Sequence, residues 1–312
     1  MTTTETPVPR RAPTLPNGRR RPKHKDNKIA FAMLAPAVIL LSIFVIWPLV
    51  YAWVVSFYQW SFYEDSIFVG LRNFRIVLED PVFWDSIGRG LMFSGITVPA
   101  IMLIAFVFAN LVKTMSARMA TVLKVSIYIP AVISFVIASI VFVLIFEYRQ
   151  GLLNYLVSSF GGSDIAWIGS ADTALLAISV PAIWIGLGLA SLIMLAGLLD
   201  IPESYYEAAE MEGANWFQRT FFITIPLMKN ILLYVLVTTF VVTIQQYELP
   251  LVMTQGGPTQ STLLPNLLIF QRFTNDTYLG YPIAAALLLF LVLGGISLVI
   301  FKLINSEKAV DG

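Results

Sequence analysis

Glu207-Ala208-Ala209 and, four residues on, Gly213 stand in the stretch YYEAAEMEGANW (205–216), between two long apolar runs. Glu203, Glu207 and Glu210 are spaced i, i+4 and i+7, so a helix here carries its carboxylates on one stripe. Like charges at i, i+4 cost a free helix about 0.2–0.5 kcal/mol per pair. A cationic surface brought against the stripe offsets that cost, and Ala208 and Ala209 keep the face low enough for close approach. The chemistry on offer is recognition by charge and shape; the alternative reading is an acidic face turned to solvent. Covalent catalysis lacks its parts. The chain has no cysteine and a single histidine, His24, in a polar N-terminal tail. Disulfides, Cys/His metal sites and a Ser/His/Asp triad within the apolar part are therefore excluded.

Two further groups carry polar chemistry. Thr238, Thr239, Thr243, Gln245, Gln246 and Tyr247 cluster in one apolar run, with Glu248 at its end. They offer neutral donors, acceptors and an aromatic face; interhelical hydrogen bonding is the alternative use. Gly256-Gly257-Pro258 follows, two glycines for a tight turn and a proline that stiffens its exit.

The elements that must position these residues are membrane helices. The 312 residues are 57% hydrophobic and 12% charged, with mean hydropathy +0.78, whereas a soluble domain carries roughly 25% charged residues. The net charge of +1 gives no sign of a nucleic-acid partner. Six runs, 29–57, 91–112, 121–146, 173–198, 227–248 and 282–304, meet the roughly 20 residues a helix needs to cross the hydrocarbon core. Period-two alternation is absent, so helices rather than a barrel satisfy the backbone in lipid. The expected fold is all-α: six transmembrane helices, with a two-helix loop at 200–226 between the fourth and fifth.

Eight Lys and Arg residues crowd the tail 1–28. Counting loops, the side bearing both termini carries fifteen cations against five on the other. The positive-inside rule places both termini, and the acidic loop, in the cytoplasm. Residues 1–28 lack an apolar period and read as a disordered basic tail; 306–312 form a short second tail. The domain between them is 29–305. In the outer loop 58–90, Asp80 suits an N-cap and Pro81 the first helical position, with Phe83 and Trp84 suiting a helix that lies on the membrane surface. Loop 147–172 reads as a surface excursion. Within the acidic loop, Gly213 suits a left-handed C′ position and Asn215 the cap of a second short helix that ends near Pro226. In the fourth span Gly186, Ala190 and Met194 form a small-residue seam suited to a subunit interface.

Glu207-Ala208-Ala209, then Gly213, then Ile223-Thr224-Ile225-Pro226 resembles the EAA motif of permease subunits in binding-protein-dependent ABC importers. Glu212 stands where the family usually has aspartate, Ile225 where it has leucine, and Asn230 where a further proline is common. The stretches 34–57, 68–84, 253–262 and 280–292 resemble the carbohydrate-importer branch, of maltose and glycerol-phosphate type, so the likeness covers about 28–305. The resemblance implies a multi-pass protein of a prokaryotic plasma membrane. Its partners would be a second homologous permease, two ATPase subunits, an extracytoplasmic sugar-binding protein and the lipid bilayer. Glu203, Glu207, Ala208, Ala209, Glu210, Glu212 and Gly213 would form the coupling helix and elbow gripped by an ATPase. Gly256, Gly257 and Pro258 would contact the binding protein. Thr239, Thr243, Gln245, Gln246, Tyr247 and Glu248 would line a substrate pathway suited to sugar hydroxyls and ring faces.

No Gly-Lys dipeptide occurs, so no phosphate loop exists and the chain is not expected to be an enzyme. ATP and Mg belong to the partner ATPase, and no cofactor is expected in this chain. Few charges fall within the spans, which favours a neutral di- or oligosaccharide. The alternatives are a self-contained carrier or channel, which would want intramembrane ionisable pairs, and a membrane enzyme, which would want a catalytic partner near 203–212.

Overall fold

The computed structural model describes residues 23–305. Most of the expected N-terminal tail and all of 306–312 lie outside the described residues. The described residues fall into two units that divide between Ala52 and Trp53. The first run is helical as α1 (Lys23–Leu41), a π-helical turn (Ser42–Ile46) and α2 (Trp47–Val55). Helix α1 thus begins inside the segment read as a disordered tail. The wide turn precedes Pro48, whose ring blocks the carbonyl four residues back and whose nitrogen donates nothing. A π-turn absorbs that defect without ending the helix.

The segment 58–80 is more ordered than a linker. Strands β1 (Tyr58–Gln59) and β2 (Ile67–Phe68) pair antiparallel, Tyr58 opposite Phe68, and lead into α3 (Arg72–Glu79). Buried Asn73 donates through Nδ2 to the carbonyls of Ser56 (2.8 Å) and Tyr58 (2.9 Å). Asp80 caps the next helix, α4 (Pro81–Lys113), by accepting from the Val82 amide. Here the surface helix expected around Phe83 and Trp84 is corrected: it is the first part of a continuous 33-residue helix that contains the second span. Phe83 is fully buried, and a tight cap with proline at the first position sets one uninterrupted start.

The third run is also corrected. It is two helices, α5 (Ala117–Val132) and α6 (Phe135–Ile145), bent by 97° at a short break. Pro130 denies the helix one of its last donors, Ile133 is extended, and the Ser134 hydroxyl caps the new helix at the Val136 amide. Loop 147–172 holds a helix, α7 (Leu152–Ser159), and a bonded centre rather than an open excursion. Asn154, 2% exposed, donates to the carbonyls of Tyr148 and Ile165 (both 2.9 Å). It accepts from the Ile165 amide (3.2 Å) and the Trp167 indole (2.7 Å).

Helix α8 (Ala171–Leu199) is the fourth span. After it come α9 (Glu203–Met211), α10 (Trp216–Arg219), a second π-turn (Thr220–Thr224), α11 (Ile225–Leu227), α12 (Lys229–Ile244), α13 (Glu248–Met253), α14 (Pro265–Asn275) and α15 (Gly280–Asn305). The second π-turn again sits just before a proline, Pro226. Among the described residues five helices are long and apolar enough to cross a membrane, or six if the bent pair α5–α6 counts as one span.

The core is an α4–α8 pair with α5 and α12 packed on it, and α15 packs on α3, α12 and α14. A Cβ at Gly188 would lie 3.0 Å from the Ile127 carbonyl oxygen of α5, and one at Gly186 2.6 Å from Ile101 of α4. Ala190 and Met194 are buried with Ala105 and Ala109. The small-residue seam read as a subunit interface is therefore used inside the chain, where it brings α4 and α8 together. At the start of α4 Asp80 also accepts from the Tyr281 hydroxyl of α15 (2.6 Å), with Arg272 of α14 4.0 Å away. The Leu279 amide donates to the Trp60 carbonyl (2.8 Å).

Candidate functional site: an acidic elbow and a broken span

The acidic helix is closed by its own backbone. Gly213 has φ +80. Its amide donates to the Glu210 carbonyl and the Ala214 amide to the Ala209 carbonyl, both at 2.9 Å. This pair of bonds is a Schellman close, and it needs the left-handed residue that glycine supplies. Asn215 then opens the second helix with a reciprocal box. Its side chain accepts from the Gln218 amide (2.9 Å) while the Gln218 side chain accepts from the Asn215 amide (2.8 Å). The elbow expected from the sequence is present, and the second helix runs through α10, the π-turn and α11 instead of one regular α-helix.

The three glutamates do not act alike. Glu203 pairs with Lys113 at 3.2 Å, and Glu210 pairs with Arg219. Glu207 is exposed and has no hydrogen bond or ion pair among the described residues. The reading of one free acidic stripe is therefore corrected: cations from α4 and α10 take its two ends and leave its middle. Ala208 is exposed, and Ala209 is half-buried. Ala209, Glu212, Gly213, Gln218 and Arg219 border a shallow groove of about 360 Å³. Behind the helix, Tyr206 sets its hydroxyl 3.0 Å from Thr224 Oγ1.

The polar group of the fifth run marks a break that the sequence reading did not place. Helix α12 stops at Ile244; Gln245, Gln246 and Tyr247 are non-helical, and Glu248 opens α13. Thr239 is half-buried and Thr243 buried. Asn266 donates to the Gln245 carbonyl freed by the break, at 2.8 Å. Gln246 is 5% exposed and its Nε2 has no partner among the described residues. The Tyr247 ring lies 5.4 Å from that of Phe270. Gln245 faces a cleft of about 370 Å³ with Val241, Asn266, Phe290, Gly294 and Ser297. Thr239, Thr243, Gln246, Tyr247 and Glu248 do not line that cleft. Asn266 and Ser297 were missed because each stands alone in an apolar run; their only signal is polarity.

The turn at Gly256-Gly257-Pro258 is a shaped loop. Gly256 has φ +87, and Gln255, Thr259 and Gln260 also have positive φ, at 52, 49 and 61. Left-handed backbone costs a non-glycine residue roughly 1–2 kcal/mol. The loop is held by fully buried Thr262, whose hydroxyl donates to the Gly257 carbonyl (2.8 Å) and lies 2.7 Å from Thr254 Oγ1. Gln271 of α14 donates to the Gln255 carbonyl (3.2 Å). One charge escaped the sequence reading. Arg89, counted as a loop cation, lies inside α4 with Asp85 3.8 Å from Nη2, and its Nη1 is buried without a partner among the described residues.

Residues 103–309 match the family model described as binding-protein-dependent transport system inner membrane component. The chain is 31% identical over 284 residues to the sulfoquinovosyl glycerol transport system permease protein of Agrobacterium fabrum, covering 90% of this chain and 92% of that one. It is 30% identical over 281 residues to the trehalose/maltose transport system permease protein of Thermococcus litoralis, covering 90% and 95%. A chain of a crystallised bacterial ABC transporter involved in the import of the acidic polysaccharide alginate shares its fold. That match has TM-score 0.74 at 21% identity and covers 91% of this chain and 97% of that chain. The motif, the helical order and these matches agree: this chain belongs to the family of inner membrane components of binding-protein-dependent transport systems.

Proposed function

We propose that the chain is the permease subunit of an ATP-driven importer that moves a glycoside or short oligosaccharide delivered by an extracytoplasmic binding protein. In this reading both termini and the elbow face the cytoplasm. A separate ATPase grips the elbow, a second permease completes the pathway, and residues 29–305 form the permease domain. The observation that carries it is Glu207. It is an exposed carboxylate without a partner among the described residues, on a helix closed at Gly213 and pinned at Glu203 and Glu210. A fixed, unpartnered charge beside two alanines is what a cationic groove of another subunit recognises. Glu248 and the break at Gln245–Tyr247 would face the solute, and Gly256, Gly257 and Pro258 the binding protein. Relatives named for sulfoquinovosyl glycerol and trehalose/maltose support a sugar.

The test is coexpression with its ATPase, partner permease and binding protein. The native chain is expected to copurify with the ATPase. Glu207→Ala is expected to lower transport per ATP hydrolysed, because removing one side of an interfacial charge pair costs about 2–5 kcal/mol. Normal transport by Glu207→Ala in a fully assembled complex would refute the assignment. A second reading concerns charge. Arg89 Nη1, without a partner among the described residues, favours an anionic sugar over the neutral one expected from sequence. Affinities of the cognate binding protein for neutral and for sulfonated or uronate sugars decide between them.

A further inference from the structure

Lys113 is the last residue of α4, where the negative end of the helix dipole favours a cation. Its Nζ lies 3.2 Å from Glu203 Oε2 and 4.1 Å from the centroid of the Tyr206 ring, so one ammonium holds two residues of α9 one turn apart. Only 22% of its side chain is exposed, against 66% for Glu203. Tyr206 passes the contact on. Its hydroxyl meets Thr224 Oγ1, 2% exposed, in the π-turn that leads towards α12. Its ring also packs against the cluster of Leu198, Ile201 and Met228.

The chain itself links the elbow to α8 and α12. Helix α4 has no such direct link, yet it is the helix packed most extensively on α8. Among the described residues, Lys113 makes the polar contacts from α4 to α9. We infer that Lys113 is a positioning residue that joins the end of α4 to the acidic helix, so that force applied at Glu207 reaches three spans instead of two. An ion pair with a mostly exposed partner adds little stability. The contact therefore acts as a joint and not as a support of the fold. A cleft of about 420 Å³ around Asn110, Lys113, Glu203, Tyr206 and Thr224 leaves room for the joint to move.

This inference rests on the reading of the elbow as the ATPase contact. The experiment uses the complete transporter in proteoliposomes and counts substrate moved per ATP hydrolysed. Lys113→Met is expected to assemble normally and to lower that ratio at least about fivefold, the low end of measured site-to-site couplings. Lys113→Arg, which keeps a cation over the ring and beside Glu203, is expected to restore it. A wild-type ratio in Lys113→Met overturns the inference, and so does an equal loss in Lys113→Arg. Should Lys113→Met fail to assemble, Glu203→Gln decides, because that side chain is exposed and its shape is kept. A lowered ratio with the ATPase copurifying at the native level supports the joint, and an unchanged ratio or a lost ATPase overturns it. Failure of the elbow reading itself shows in the native chain, as an absence of copurifying ATPase.

Discussion

At the scale of single residues, the acidic helix divides one amino-acid type into two uses. Glu203 and Glu210 are neutralised by Lys113 and Arg219, and Glu207 is left over. Sequence spacing shows that the three share a stripe. It cannot show which cations fold back onto it, because Lys113 is ninety residues from Glu203. Gly213 is different, since its role is local. Open space surrounds the position, so a side chain there meets no neighbour. The cost of substitution is conformational, roughly 1–2 kcal/mol at φ +80. Gly213→Val is expected to lower transport per ATP, while Gly213→Asn, which tolerates the left-handed region, keeps it. Parallel transport and ATPase assays on the two variants check this, and equal loss in both would point to crowding at the ATPase instead.

At the scale of elements, what was legible in the sequence is what short-range chemistry dictates. The span lengths, the Asp80–Pro81 start, the Gly213 close and the Asn215 cap all follow from neighbouring residues. The breaks are harder. Two apolar runs of suitable length hide a 97° bend after Val132 and an interruption at Gln245–Tyr247. Each is stabilised by something outside its own run or by a single weak cap. Asn266 satisfies the carbonyl freed at Gln245 from twenty-one residues away. The seam of Gly186, Ala190 and Met194 was visible as close packing, but its partner helix was not. Asn154 offers a test at this scale, for its amide organises the loop between α6 and α8 through four bonds. Asn154→Ala leaves buried donors and acceptors unmet, each worth about 1–3 kcal/mol. The expected result is faster proteolysis within 147–172 and a lower unfolding temperature in detergent. Asn154→Asp keeps the acceptor for Trp167 but turns a buried carboxylate oxygen towards two carbonyl oxygens, and is expected to destabilise at least as much.

At the scale of the whole molecule, the proposed orientation is open to direct measurement because the chain has no cysteine. A single cysteine at Glu207 is expected to react with a membrane-impermeant thiol reagent only from the cytoplasmic side. One at Thr259 is expected to react only from the opposite side. Labelling of intact cells and of inverted vesicles separates the two, and the reverse pattern would invert the topology and remove the elbow from any ATPase. The loop bearing Thr259 has a further consequence. Its awkward backbone is fixed by Thr262, Thr254 and Gln271 before anything arrives. A visitor to that rim therefore meets a shape already chosen. It has little disorder to quench on arrival, and its stay is governed by surface match rather than by how fast a floppy segment can settle.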